Sequence, residues 1–333
     1  MLSRVAENLF WFGRYFERLE HDARLLDAAR RMSMMPVAET AAPSNEWSSV
    51  LVAAGGRRTF PGDIETAAAQ EAVNHLVSDP ANPSSVFSCL KAARDNARAV
   101  RASLTTDVWE ATNDARDEFR AMRMPSVNDG SLTDFIDWAK AKAARVRGAV
   151  EGTLARDDAL QFIRLGWFVE RADSTARILD VKYHLLLPSV REVGGGVDHY
   201  QWASLLQATG TLRTFQFVTH DHVNPKGVAS FLILQPKSPR SLRYSYSQID
   251  AALGALEALY GERPACRSVV EEMLERLLVD DIQIVLDAGL HEFLTDFISA
   301  NYRVSDAIGA SFGFGLQVTE AEANGAGPTK PSQ

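Results

Sequence analysis

The chain has 333 residues, of which 46% are hydrophobic and 23% are charged, with a formal charge of −8. This hydrophobic content can bury one large core or two smaller ones, so the composition predicts a globular protein. The negative charge argues against a protein built to neutralise phosphate backbones, and we expect no nucleic-acid partner.

The two cysteines, Cys89 and Cys266, are far apart in sequence, and neither belongs to a CxxC pair. They predict neither a disulfide framework nor a structural zinc site. Charged residues interrupt the apolar start of the chain, and no uncharged run approaches the roughly 18 residues that cross a bilayer. We therefore expect a cytoplasmic protein with no signal peptide and no membrane span.

Apolar residues recur every three or four positions along almost the whole chain, and strand-like alternation is scarce. This periodicity predicts an all-α protein, a multi-helix bundle of about ten helices. The stretch "GVASFLILQP" is the exception, because a short run of this composition also fits a buried strand. The expected helices are a long first helix that ends before Pro36, a short helix around 47–53, and helices near 64–77, 86–104, 107–122, 132–154, 156–187, 199–217, 225–234, 239–260, 263–288 and 290–312.

Three segments lack helical periodicity. Residues 36–62 read as a connection, and the glycines of "REVGGGVD" at 191–198 predict a flexible loop. The chain after residue 315 has few apolar residues, so we expect a disordered tail over 316–333. The rest is predicted to be one helical domain, residues 1–315.

An internal repeat divides that domain into related halves around 1–150 and 151–315. The segment "FGRYFERLEHDARLLD" at 12–27 matches "LGWFVERADSTARILD" at 165–180 at seven of sixteen positions. About one identity would be expected by chance, so the match indicates a duplicated unit.

Each copy of the repeat places acids and arginines on one helical stripe. Spacings of three and four residues align Glu17 with Glu20 and Arg24, and the Glu-Arg dipeptide adds Arg18 beside the apolar stripe. If the two helices pack antiparallel, four carboxylates and four arginines gather near one axis. The candidate cluster, for binding or for structure, is Glu17, Arg18, Glu20, Arg24, Glu170, Arg171, Asp173 and Arg177.

Three interpretations of this cluster stay open at this stage. In the first, the acids and arginines form salt bridges that fix the register of the two helices. In the second, the arginines bind a phosphate or a peptide carboxylate by bidentate hydrogen bonds. The third is a metal site, but helix bundles build such sites from Glu-x-x-His, and neither copy supplies that motif. His21 follows Glu17 by four residues, whereas Ser174 stands at the equivalent position of the second copy.

Other candidate sites carry weaker signals. Arg240 and Arg243 in "SPRSLRYS" lie at a predicted helix start, where anions can bind. The histidines of "THDHVN" at 219–224 flank an aspartate that could join them around a metal, although a polar surface loop explains the same pattern. No Walker loop, GxSxG, GxGxxG or HExxH motif is present. We therefore predict no metal and no cofactor.

Four stretches in order resemble the bacterial alpha-E domain family, a helical family of unknown function named for its Glu-Arg motif. They are "MLSRVAENLFWFGRYFERLEHDARLLD", "ARDNARAVRASLTTDVWEATN", "FLILQPKSPRSLRYS" and "HEFLTDF", and the similarity runs over residues 1–312. The family's motif falls on Glu17 and Arg18, and internal similarity carries it to Glu170 and Arg171.

The resemblance implies partners rather than a reaction. Such proteins are typically encoded beside a circularly permuted ATP-grasp protein and a transglutaminase-like protease, a set associated with peptide or amide bonds. It leads us to expect a non-catalytic, auxiliary protein that binds a partner or a carboxylate-bearing peptide. The alternative is an enzyme that uses Glu17 and Glu170 for acid-base or metal-assisted amide chemistry. A homo-oligomer would be indicated by exposed apolar patches along Trp109, Trp138 or Trp202.

Overall fold

The computed structural model describes residues 1–34, 45–185, 196–278 and 281–315, together with the side chains of these ranges except 181–185 and 196–198. Every regular element within these ranges is a helix, which confirms the all-α prediction. The predicted tail at 316–333 and residues 191–195 of the predicted glycine loop lie outside the described residues.

Fourteen α-helices and three short 3-10 helices make up the described chain. The α-helices are α1 (Ser3–Ser33), α2 (Glu46–Ala53), α3 (Ala69–Val77), α4 (Val86–Ala99), α5 (Thr106–Ala121), α6 (Ser131–Thr153), α7 (Asp158–Leu185), α8 (Gly196–Ala208), α9 (Leu212–Thr219), α10 (Pro225–Leu234), α11 (Leu242–Tyr260), α12 (Cys266–Arg276), α13 (Gln283–Asp287) and α14 (Leu290–Phe312). The 3-10 helices are Gly56–Arg58, Ile64–Thr66 and Arg101–Ser103.

The sequence predicted about ten α-helices and located twelve, and the described chain has fourteen because two of those twelve are divided. The helix predicted at 199–217 is interrupted at Gly210, whose φ of +72° lies in the left-handed region that glycine adopts at little cost. The helix predicted at 64–77 begins as the 3-10 turn Ile64–Thr66, and α3 starts only after the extended residue Ala68. The helix predicted at 263–288 is likewise divided into α12 and α13.

The stretch that also fitted a strand is a helix. Pro225 occupies the first position of α10, and the Asn224 side chain accepts a hydrogen bond of 2.7 Å from the Gly227 amide. A cap residue followed by proline favours helix initiation strongly enough to decide this short apolar run. Among the described helices, none has both the length and the apolar character needed to span a membrane.

Helices α1 and α7 pack against each other at the centre of the molecule. Helices α4, α6 and α8 cover α1, while α2, α11 and α14 cover α7. Apolar side chains of all these helices form a continuous buried cluster. The two copies of the repeat therefore lie on adjacent central helices, where their charged side chains are shielded from water.

Candidate functional site

The two repeat helices are in closest contact where each has a glycine. A side chain at Gly13 would collide with the backbone oxygen of Ile163, and one at Gly166 would collide with that of Phe10. Residues near 10–17 of α1 thus face residues near 163–171 of α7 in the same order, so the helices run parallel. The antiparallel arrangement considered from the sequence is wrong. Sequence similarity between two helices does not specify their relative direction, which depends on the chain between them.

The parallel register produces a reciprocal exchange between the two Glu-Arg dipeptides. Arg171 donates two hydrogen bonds of 2.8 Å to Glu17, one to each carboxylate oxygen. Arg18 donates likewise to Glu170, at 2.5 and 3.0 Å. Each guanidinium thus binds the carboxylate of the other helix in the planar, bidentate geometry that arginine provides.

The arginines that pair with Glu17 and Glu20 come from α1, α6, α7 and the two residues before α11. Arg240 donates to Glu17 at 2.8 Å and to Glu20 at 2.6 Å. Arg147 reaches the same two carboxylates from α6, at 2.9 and 2.6 Å. We call this group the Glu17 side, and it consists of Glu17, Glu20, Arg24, Arg147, Arg171 and Arg240.

Around Glu170 the partners are fewer. Arg14 donates to Glu170 at 2.7 Å, beside the bidentate contact from Arg18. Asp173 is paired with Arg177 at 2.6 Å through one carboxylate oxygen, and its other oxygen is buried with no hydrogen-bond partner in the described part of the chain. We call this group the Glu170 side, and it consists of Arg14, Arg18, Glu170, Asp173 and Arg177. The two sides together are the Glu-Arg cluster.

Two arginines also attach outer helices to the centre. Arg24 donates a hydrogen bond of 2.6 Å to the carbonyl oxygen of Ala208, the last residue of α8. Arg177 donates one of 3.1 Å to the carbonyl of Ala53, the last residue of α2. A cation at a helix C-terminus satisfies carbonyls that lack an intrahelical partner and interacts favourably with the helix dipole.

The arginines keep the buried acids ionised. Burial by itself would raise the pKa of Glu20, but Arg240, Arg24 and Arg147 outweigh it and lower that pKa to about 2. Burial also opposes the ionisation of Glu170, and Arg18 and Arg14 again lower its pKa to about 2. The pKa of Glu17 lies well below its usual value for the same reason. These carboxylates are therefore negatively charged at neutral pH.

The Glu-Arg cluster contains more cations than anions. Seven guanidinium groups surround four ion-paired carboxylates, which leaves an excess of three positive charges. Burial raises the pKa of the nearby Asp22 well above its usual value. Because the neutral acid is favoured, Asp22 offsets less of the excess positive charge of the cluster. On the Glu17 side, burial and the adjacent Arg24 lower the pKa of Arg240 to about 10, as expected where like charges are crowded.

The structure brings all eight residues of the predicted cluster together and adds Arg240. Arg243 is half-buried in the first turn of α11 and has no ion pair with the described residues. Sequence analysis missed Arg14 and Arg147. Arg14 lies three residues before Glu17, on the stripe that faces α7, so its spacing was a usable signal. Arg147 is on α6, and nothing local to its sequence indicates which helix that part of α6 contacts.

His21 and Asp22 are buried beside the Glu-Arg cluster. Both ring nitrogens of His21 and the Oδ2 oxygen of Asp22 are buried without a hydrogen-bond partner in the described structure. Burial, followed by repulsion from Arg177, lowers the pKa of His21 to about 3, so the ring is neutral. No group of three or more His, Cys, Asp or Glu residues in the described ranges has the geometry to hold a metal ion.

The remaining predicted features are remote from the cluster. His220, Asp221 and His222 are exposed, and Asp221 accepts hydrogen bonds from the His222 amide and from Asn224. These contacts make "THDHVN" a hydrogen-bonded surface loop. The tryptophans proposed for an oligomer interface are covered, with Trp202 buried and Trp109 and Trp138 partly buried against the core.

A cavity of about 700 Å³ lies beside α3, away from the Glu-Arg cluster. His75 lines it and is hydrogen-bonded on both ring nitrogens, to Asp79 at 2.8 Å and to Thr59 at 3.0 Å. The order hydroxyl, imidazole, carboxylate is that of a catalytic triad, but Thr59 does not line the cavity. We therefore assign these contacts to holding the loop before α3.

The chain matches the Alpha-E family over residues 1–312, a family described as a predicted alpha-helical domain with a conserved ER motif. This chain belongs to the Alpha-E family. The resemblance noted from the sequence is confirmed, and Glu17-Arg18 and Glu170-Arg171 are ER dipeptides of this Alpha-E domain.

The similar curated proteins are uncharacterized. One from Mycobacterium bovis is 26% identical over 324 residues, which cover 88% of this chain and 36% of that protein. One from Mycobacterium tuberculosis is 25% identical with the same coverage. The chain thus spans 36% of the length of these relatives. No solved structure matches the chain.

Proposed function

We propose that this Alpha-E protein is a non-catalytic, auxiliary component of an ATP-grasp-associated system that makes peptide or amide bonds. In this proposal it works in the cytoplasm and binds a partner protein or a carboxylate-bearing peptide through the Glu-Arg cluster. The expected partners are the circularly permuted ATP-grasp protein and the transglutaminase-like protease that the family resemblance implies.

The observation that supports binding is the excess of arginine in the cluster. Salt bridges that only fixed the helix register would be complete with equal numbers of the two charges, whereas seven guanidinium groups here face four ion-paired carboxylates. Uncompensated buried charge is costly, and an anion from outside would reduce that cost. A carboxylate suits the planar guanidinium group particularly well.

The same geometry supports binding over the enzymatic alternative. A general acid or base works best when its pKa is near the working pH. Glu17 and Glu170 have pKa values far below neutrality because arginines surround them, so neither group readily gains a proton. Proton transfer by this pair is therefore the weaker proposal.

The test is co-purification with the circularly permuted ATP-grasp protein that the family resemblance implies as a partner, combined with assays of its ATP hydrolysis. Two arginines on α6 provide matched variants. Arg147 belongs to the Glu17 side, whereas Arg145 is half-exposed and paired with Asp114 at the surface. We expect the wild type and Arg145→Gln to co-purify with the ATP-grasp protein and to change its ATPase rate, and Arg147→Gln to do so at least several-fold less.

Two results would contradict the proposal. One is an absence of complex and of any ATPase effect with the wild-type protein under conditions where both proteins are folded. The other is amide-bond formation or hydrolysis by this protein alone that is abolished by Glu17→Gln, because that result would establish the enzymatic alternative.

A further inference from the structure

We infer that the anion binds on the Glu17 side alone, at the partly exposed guanidinium groups of Arg24, Arg147 and Arg240, and that its chemical class is the carboxylate of a peptide. This inference rests on the proposed binding function and identifies the half of the cluster that carries it.

The first argument is that α4 and α11, which pack against α1 and α7 respectively, are preceded by similar segments that differ in one residue. The sequence "PSS" at 83–85 precedes α4, and "PRS" at 239–241 precedes α11. Ser85 and Ser241 cap the two helices in the same way, each accepting a hydrogen bond from the amide three residues on. The middle residue is Ser84 in one case and Arg240 in the other. Arg240 therefore adds a cation to the Glu17 side that the Glu170 side lacks.

The second argument concerns the outer helices α6 and α14, which cover α1 and α7 respectively. Helix α6 contributes the guanidinium of Arg147 to the Glu17 side. Helix α14 instead contributes the neutral hydroxyl of Ser305, which accepts a hydrogen bond of 2.9 Å from Arg14. The Glu17 side consequently has four arginines for two carboxylates, and the Glu170 side has three for two.

The third argument is the incomplete pairing of Arg147. Its hydrogen bonds to described residues all come from Nη2, and its Nε is buried without a partner there. The side chain is 28% exposed, the largest value in the cluster, while those of Arg24 and Arg240 are 14% and 13% exposed. Arg147 thus combines unused hydrogen-bonding capacity with access to solvent.

Charge and access together favour a carboxylate. Glu17 and Glu20 already occupy much of the hydrogen-bonding capacity of the four arginines, so the remaining donors suit a small, singly charged group. A carboxylate can complete the pairing with one or two bonds in the planar geometry of a guanidinium group, whereas a phosphate presents more acceptor oxygens than the remaining donors can satisfy. The crowding that lowers the pKa of Arg240 would be relieved by the bound anion.

The experiment compares a short acetylated alanine peptide that has a free C-terminal carboxylate with the same peptide as its C-terminal amide. Binding to the full chain is measured by calorimetry at low salt, with inorganic phosphate as a third probe. We expect the acid to bind at least tenfold more tightly than the amide and than phosphate. Arg147→Gln should weaken binding of the acid at least tenfold, and Arg145→Gln should leave it unchanged.

Equal affinity for acid and amide, tighter binding of phosphate, or full affinity in Arg147→Gln would each overturn this inference. These failures are separable from failure of the proposed function. If the ATP-grasp protein still co-purifies while the peptide acid does not bind, the partner proposal stands and the carboxylate site is wrong. Circular dichroism and thermal unfolding test whether Arg147→Gln is folded. An Arg147→Lys variant should recover part of the affinity because it keeps the charge.

Discussion

The Glu17 side and the Glu170 side are formed by equivalent positions of two similar helices, but they differ in composition. Each side contains one bidentate Arg-Glu pair between the two helices. Each side also has an arginine that caps the C-terminus of an outer helix. They diverge in what surrounds this shared arrangement, since Arg147 and Arg240 join one side and Ser305 and Ser84 contact the arginines of the other. In our proposal, the exchange of Arg-Glu pairs holds the helices together and the additional arginines bind the anion.

The largest expected effect comes from removing the central acid of each side. Glu17→Gln removes a carboxylate that pairs with three arginines, Arg171, Arg147 and Arg240, and leaves Glu20 as the one acid of the Glu17 side. Glu170→Gln removes a carboxylate that pairs with two, Arg14 and Arg18. Breaking a buried ion pair typically costs about 3–5 kcal/mol, and we expect Glu17→Gln to lie near the upper end and Glu170→Gln near the lower end. Urea unfolding of both variants measures the difference.

If Glu170→Gln proves more destabilising than Glu17→Gln, the assignment of the greater cation excess to the Glu17 side is incorrect. Glu118→Gln is the control, because Glu118 forms its ion pair with Lys142 at the surface, where such pairs contribute little.

A smaller loss is expected from the glycines that both sides share. Gly13→Ala and Gly166→Ala each place a Cβ against a backbone oxygen of the other helix, so the helices must move apart. Overpacking of this kind should lower the free energy of unfolding by about 2 kcal/mol in either variant. Gly148→Ala in α6 is the matched control, since a Cβ there meets nothing within 4 Å and should stabilise the helix slightly.

Thermal or urea unfolding distinguishes these cases. Similar losses in the free energy of unfolding for Gly13→Ala and Gly166→Ala would support one close contact between α1 and α7 that the Glu17 side and the Glu170 side share. A neutral or stabilising effect at either glycine would contradict the close parallel packing.

The third prediction concerns pH and His21, which is buried beside the Glu-Arg cluster. Its pKa falls from an ordinary 6.5 to about 3 in the folded protein, so the unfolded chain takes up a proton first as the pH falls. Stability from this group is complete above pH 6.5 and decreases as the pH drops towards 3. Between pH 7 and pH 5 the loss should be about 2 kcal/mol.

His21→Gln should remove that part of the pH dependence, because glutamine does not titrate. Urea unfolding of the wild type and of His21→Gln at pH 7 and at pH 5 measures it. The stability contributions of Glu20 and Glu170 are lost mainly below pH 4.5, outside this range, and the buried Asp22 is present in both proteins, so the difference between them isolates His21. An unchanged pH dependence in His21→Gln would show that the buried ring is not the titrating group.

Sequence analysis could predict the fold class and many of the helices because these depend on local signals. Apolar periodicity identified α14 over Leu290–Phe312, and Asn224 before Pro225 marked the start of α10. Helices divided by a single residue were harder. Gly210 interrupts a periodic stretch, and a glycine within such a pattern does not reveal whether the chain turns there.

The site was predictable as far as the repeat extends, together with Arg240, whose place at a helix start marks it as an anion candidate. The spacing of acids and arginines placed eight residues on two helices, and all eight converge in the structure. The direction of packing was not encoded locally, and the contribution of Arg147 depends on how α6 lies against α1. The division of the chain into two related halves stays a prediction that rests on the repeat.

The most direct test of the difference between the two sides is an NMR titration that observes the Nε-H signals of the cluster arginines while the peptide acid is added. The account predicts shifts for Arg24, Arg147 and Arg240, with Arg14 and Arg18 of the Glu170 side unaffected. Shifts centred on Arg14 and Arg18, or no shift at concentrations that saturate binding by calorimetry, would contradict it.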